Sequence, residues 1–132
     1  MNIQLVNTRV ESLDMKFSAD GMAEDNFSLT YANGFSEDDD KLFIIKFDVS
    51  LESTHGYLIS LRYIAEFTSN ESIGDGFRDS PFLVVNAPAI AYPYLRSFLS
   101  VLTLSSGYTP VFLPTINFQA LANEKKQNKS QQ

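Results

Sequence analysis

Residues 42–67 read Leu42-Phe-Ile-Ile-Lys-Phe-Asp-Val-Ser-Leu51, then Glu52-Ser-Thr-His-Gly56, then Tyr57-Leu-Ile-Ser-Leu-Arg-Tyr-Ile-Ala-Glu-Phe67, and this stretch decides the fold. Successive side chains of a strand point to opposite faces. The first segment therefore puts Phe43, Ile45, Phe47, Val49 and Leu51 on one face, and Leu42, Ile44, Lys46, Asp48 and Ser50 on the other. The second puts Tyr57, Ile59, Leu61, Tyr63, Ala65 and Phe67 opposite Leu58, Ser60, Arg62, Ile64 and Glu66. Two alternating runs joined by a short polar loop with a glycine read as a hairpin. One apolar and one mixed face fit an antiparallel sheet covered on one side.

Upstream, Ile3, Leu5, Val10, Leu13, Met15 and Phe17 form a strand whose apolar parity changes once, between Leu5 and Val10, as one bulge would do. Ala19-Asp20-Gly21 signals a turn, and Phe27, Leu29 and Tyr31 alternate up to Asn33-Gly34. The acidic run Glu37-Asp38-Asp39-Asp40 is a solvated connection and a gatekeeper before the sticky strand that follows. Downstream, residues 68–81 are rich in Ser, Asn, Asp and Gly and read as a loop. Pro88 and Pro93 then announce a helix, with Pro93 tolerable in its first turn. From Tyr94 to Leu104 only Arg96, Ser100 and Thr103 make a polar stripe among Tyr94, Leu95, Phe98, Leu99, Val101, Leu102 and Leu104. A helix lying on one sheet needs an apolar arc of about 100°. This one is wider, so a second surface, most simply another copy, must cover it. Gly107 is the expected C-cap, Pro110 to Pro114 an extended segment, and Asn117 to Asn123 a short closing helix capped by Asn117. The fold class is α+β: a four-stranded antiparallel sheet packed by one long helix and a short C-terminal helix. Residues 1–123 form the domain and 124–132 a polar, basic, disordered tail.

Composition narrows the chemistry. At 132 residues the chain is one domain, and with no cysteine it has neither disulfides nor thiol-based zinc sites. Residues 1–82 carry 15 acids and 6 bases, and residues 83–132 carry 1 and 4. An acidic first half argues against a nucleic-acid surface; it is a solvating face or a docking face for a basic partner. No apolar run reaches the roughly 20 residues that cross a bilayer, and Met1-Asn2-Ile3-Gln4 lacks a signal-peptide pattern. The expected location is the cytoplasm, with no membrane insertion. The one histidine, His55, falls in the hairpin loop, a poor place for a catalytic base. Glu37–Asp40 lacks the spaced ligands of a calcium loop, and Gly74-Asp75-Gly76 does not open a helix as a phosphate loop would. Catalytic residues, metals and cofactors are therefore none. The chain instead carries 11 Phe and 6 Tyr, more apolar surface than one sheet and one helix can hide.

The C-terminal third holds Asn86-Ala-Pro88-Ala-Ile-Ala-Tyr92-Pro93-Tyr94-Leu-Arg96, then Ser106-Gly107, Pro110 and Leu113-Pro114-Thr-Ile116-Asn117-Phe118-Gln-Ala120-Leu121. This pattern resembles the SecB family of protein-export chaperones, in which an aromatic-Pro-Tyr-x-Arg segment opens the main helix. A Leu-x-Pro-[Val/Ile]-Asn-Phe-x-Ala-Leu signature follows in that family. The motifs cover about 36 residues, and the strand order extends the likeness over residues 3–123. The resemblance implies ATP-independent holding of unfolded polypeptides in an apolar groove, and a homotetramer built as a dimer of dimers. Client contacts are expected at Phe17, Phe27, Tyr31, Leu42, Ile44, Leu58, Tyr92 and Phe112, and self-association at Tyr94, Leu95, Phe98, Val101 and Leu102. Family members dock the SecA motor through acids on the first strand and a Leu-x-Glu further on. Here those positions hold Val10, Asp14, Leu58 and Ser60, so Glu11, Asp14 and Leu58 are the docking candidates. The incomplete acidic set leaves two alternatives: a SecB-like chaperone dedicated to an antitoxin of a toxin–antitoxin module, or a non-chaperone α+β ligand-binding domain.

Overall fold

A computed structural model describes residues 1–17 and 23–130 of the chain. Four strands, β1 (Ile3–Phe17), β2 (Asn26–Phe35), β3 (Leu42–Glu52) and β4 (Tyr57–Ser69), form one antiparallel sheet in the order β1-β4-β3-β2. Two helices follow, α1 (Ala87–Ser105) and α2 (Phe118–Ser130). The turn expected at Ala19-Asp20-Gly21 lies outside the described residues.

The β3–β4 hairpin is the spine. Its register sets Phe43 against Phe67, Ile45 against Ala65, Phe47 against Tyr63, Val49 against Leu61 and Leu51 against Ile59. Every one of these is buried, and the Phe43 and Phe67 rings stack 5.0 Å apart. Gly56 closes the turn at φ +93°, a conformation without steric cost only for glycine.

β1 departs from the expected single bulge. Its pairing with β4 slips twice, between Leu5 and Asn7 and between Val10 and Ser12. Leu13 therefore returns to the parity of Leu5, and both face the helix side. β2 runs on through Asn33-Gly34, where a turn was expected, because Gly34 sits against Ile44. A Cβ added there would lie 2.9 Å from Ile44 Cγ1.

α1 starts earlier than expected, so Pro93 lies in its interior. A wide π-type turn, Phe82–Asn86, leads directly into it. The prolines account for both features. Pro88 has no N–H to offer the Val84 carbonyl, and its ring would crowd that oxygen in a regular helix. Widening the turn removes the crowding. Pro93 likewise leaves the Ala89 carbonyl without its usual donor, and Ala89 is exposed to water. The helix ends as expected, with Gly107 at φ +95°.

The polar stripe of α1 does not face solvent. Thr103 is fully buried, its hydroxyl donating to Leu99 O at 2.8 Å and accepting from Val111 N at 3.0 Å. Ser100 Oγ donates to Val111 O. These bonds fasten the extended segment 108–116 along the helix. Asn117 Oδ1 then caps α2 through Ala120 N, as expected. The helix continues to Ser130 rather than stopping at Asn123. Nothing after Phe118 breaks it: Glu124 and the Lys and Gln residues beyond are good helix formers.

Candidate functional site

A groove of about 1010 Å³ runs beside β2. Its floor is Tyr31, one wall is the segment from Asp75 to Val85, and the other is α2 through Gln119, Ala122 and Asn123. The Tyr31 hydroxyl donates to Val84 O at 3.2 Å, the carbonyl to which Pro88 has no N–H to offer. Phe118 opens α2 and wedges edge-on between Tyr31 and Tyr92, with ring centroids 5.4 and 5.5 Å away. Tyr92 in turn donates to Pro114 O at 2.6 Å. One aromatic cluster thus joins β2, α1 and α2 behind the groove. Burial pushes both phenols above the ordinary tyrosine range, so they remain protonated donors at neutral pH. At the far end the Arg78 guanidinium lies 4.7 Å from the Phe35 ring centroid.

Among the described residues, no cluster of reactive groups converges on this groove. Its titratable lining groups are Asp75, Arg78, Asp79 and the buried Tyr31, and Arg78 and Asp75 pair at 3.6 Å. Among the described residues no group of three or more His, Asp or Glu side chains could hold a metal ion. No described helix is long and apolar enough to cross a membrane. His55 is exposed in the hairpin turn, whose neighbour Thr54 donates its N–H to Asp25 at 2.7 Å. That bond holds the Asp25 carboxyl below its ordinary range.

The eight client candidates do not gather in one place. Tyr31 lines the groove, and Tyr92 lies beneath it in the core. Phe27 is half-buried on the helix side of the sheet, while Leu42, Ile44 and Leu58 are on the opposite face. Phe17 and Phe112 are strongly exposed, at 72% and 80%. Sequence reasoning missed Val84, Val85 and Ala122, because the proximity that makes them a wall is set by the chain fold, not by any local pattern.

The exposed side of α1 is apolar. Ile90, Tyr94, Val101 and Leu104 are all open to solvent. With Ser97 they recur at spacings of 4, 3, 4 and 3, the period of a helix–helix seam. Tyr94 and Val101 were expected here, and Phe98 and Leu102 flank them half-buried. Leu95 is a correction: it is completely buried against the sheet and cannot contact another copy. Ile90 was missed because the helix was read from Pro93 onwards.

Glu11, Asp14 and Leu58 do share the outer face of the sheet, but the acids are engaged. Arg62 bonds Asp48 at 2.9 Å and approaches Glu11 at 3.4 Å. Arg9 bonds Glu66 at 2.9 Å, and Lys16 sits 3.4 Å from Asp14. Such exposed pairs contribute little to stability, but they neutralise the face.

A family model described as preprotein translocase subunit SecB matches residues 12–129. The protein-export protein SecB of Methylibium petroleiphilum is 36% identical over 61 residues, which is 46% of this chain and 37% of the relative. That of Nitrosomonas europaea is 40% identical over 50 residues, 38% of this chain and 31% of the relative. The chain thus spans about a third of the length of these curated relatives. Among solved structures, a SecB-like chaperone of Mycobacterium tuberculosis, in complex with a peptide from the HigA1 antitoxin, superposes with a TM-score of 0.68. The two chains are 13% identical over 86% of this chain and 87% of the other, so they share the fold. A protein of unknown function from Streptococcus agalactiae superposes at 0.54, with 14% identity, over 87% of this chain and 98% of its own.

Proposed function

The chain belongs to the SecB family, and on that premise we propose that it is a chaperone that holds unfolded polypeptides, without ATP, as an assembly of its own copies. The observation that carries this reading is the groove beside β2: large, lined by Tyr31, Phe35, Val84 and Val85, and without a converging reactive group among the described residues. Each large apolar side chain of a client, once buried, contributes about 1.5–3 kcal/mol. Four to six of them reach about −8 kcal/mol, micromolar affinity, after ordering costs. A folded protein has hidden those groups already, so selectivity for unfolded chains needs no sequence motif. Phe17, Phe112 and Leu42 extend the apolar surface available to a long client.

Self-association supports the same reading. α1 turns the hydroxyls of Ser100 and Thr103 inward and presents Ile90, Tyr94, Val101 and Leu104 outward. A seam of that kind pairs with its own copy, and two such pairings give the expected tetramer. Cytoplasmic location and residues 1–123 as the working domain complete the proposal. Delivery of export precursors to SecA is the family's expected downstream step.

A second reading is favoured by the neutralised outer face. With Ser60 in place of an acid, Glu11 held by Arg62 and Asp14 beside Lys16, little free negative charge remains for a docking motor. Service to one dedicated client, such as an antitoxin, fits that surface. The tuberculosis chaperone solved with an antitoxin peptide supports a polypeptide client of this kind. Light scattering of an aggregating denatured protein tests the main proposal: stoichiometric amounts of the chain should suppress the signal, and no suppression refutes it. Pull-down with SecA against a co-expressed antitoxin separates the two readings.

A further inference from the structure

The groove wall that joins β4 to α1 is anchored at its two ends and lightly held in between. Ile73 is buried at one end, where its N–H donates to Asp40 O at 2.7 Å, and Leu83 is fully buried at the other. From Gly74 to Pro81 every residue is exposed except Ser80, which is half-buried. The main-chain bonds of this stretch close on itself: Phe77 N donates to Gly74 O, Arg78 N to Asp75 O and Ser80 N to Phe77 O. A Cβ at Gly74 or Gly76 would meet nothing within 4 Å. Segments with few buried contacts open at far lower cost than the body of a domain.

Two details mark the stretch as a moving part. The Arg78 guanidinium reaches β2 and lies 4.7 Å from the Phe35 ring centroid, while Asp75 pairs with it at 3.6 Å. Phe35 lines the groove, so this cation covers a ring that an occupant would otherwise touch. Toward the Leu83 end, Ser80 Oγ is buried without a hydrogen-bond partner, a defect that swinging the stretch into water would relieve.

From these observations we infer that residues 74–81 form a hinged arm, pivoting at Ile73 and Leu83, which Arg78 latches over Phe35 and a bound client holds open. The inference rests on the chaperone reading above and specifies how its groove is gated. A cation over a ring at an exposed site shifts an equilibrium about two- to fivefold. The latch therefore lowers the population of the open arm without abolishing it. A client side chain, apolar or basic, that takes the face of Phe35 competes with Arg78 directly. Apparent affinity scales with the fraction of chains whose arm is open, so removing the latch tightens client binding by the same factor.

The chain has no cysteine, so Gly76→Cys on the arm and Ser60→Cys on the outer face of the sheet take a unique pair of nitroxide labels. Their separation is read by double electron–electron resonance on the full chain, alone and with reduced, carboxamidomethylated ribonuclease as the unfolded probe, and again with Arg78→Ala added. A gated arm predicts one dominant distance in the free chain and a longer one with the probe. In Arg78→Ala the longer distance should grow before any probe is added, and the probe should bind about two- to fivefold tighter. Probe binding that leaves the distance unchanged overturns the arm and leaves the chaperone reading standing. An unmoved distance in Arg78→Ala overturns the latch even if binding tightens, because loss of a charge alone would tighten binding of a basic probe. If the probe binds no form of the chain and aggregation is not suppressed, the chaperone reading falls and the gate with it.

Discussion

Phe118→Ala tests whether α2 is a separately docked wall of the groove. The ring is 4% exposed and lies edge-on to Tyr31 and Tyr92. Removing a buried Phe side chain costs about 3–5 kcal/mol, including about 0.5–1.5 kcal/mol for each aromatic contact. Only Leu121 and Ala122 then remain to hold the described part of α2, and both are half-buried. The spine of the sheet, Phe43 to Leu51 against Ile59 to Phe67, is held by its own cross-strand pairs. The loss should therefore fall on docking of α2. Amide exchange monitored by mass spectrometry should accelerate about a hundredfold at residues 119–123, as a docking loss of about 3 kcal/mol requires. The β3 and β4 amides should keep their protection. Unchanged exchange in α2 would refute the anchoring role of Phe118, and loss of protection throughout the chain in step would refute the independence of α2.

Three further outcomes follow from named contacts. Val101→Asp puts a charge in the middle of the exposed α1 seam, so the mass measured by light scattering should fall to that of smaller species. The stability of the subunit itself should change by no more than about 0.5 kcal/mol. Gly34→Ala forces a methyl against Ile44, and urea unfolding should show a loss of about 1–3 kcal/mol. Burial raises the Tyr31 and Tyr92 pKa values on folding, so above about pH 10 the unfolded chain ionises first. Stability is then complete below that pH and declines as pH rises toward the folded values; replacing both tyrosines by Phe should flatten the decline in alkaline denaturation.

The β3–β4 hairpin was legible because its pattern is local, with one face wholly apolar and the other mixed. The excess apolar character of α1 was legible for the same reason. What sequence did not reveal was which side of α1 faces where. Ser100 and Thr103 look like a solvent stripe until segment 108–116 folds back and accepts them as partners. Pro93 looks like a helix start because nothing local shows that a π-type turn at Phe82–Asn86 has already begun the helix. The second bulge in β1 depends on β4, and the groove depends on Tyr31, Val84 and Phe118 meeting from three elements. Long-range contacts carry those facts, and a residue pattern does not encode them.

The most direct measurement is a titration of the chain with one fluorescently labelled test protein in two forms, native and irreversibly unfolded. Micromolar binding to the unfolded form, with at least a hundredfold weaker binding to the native form, is the predicted result. Equal affinity for both forms, or none for either, would contradict capture by exposed apolar surface.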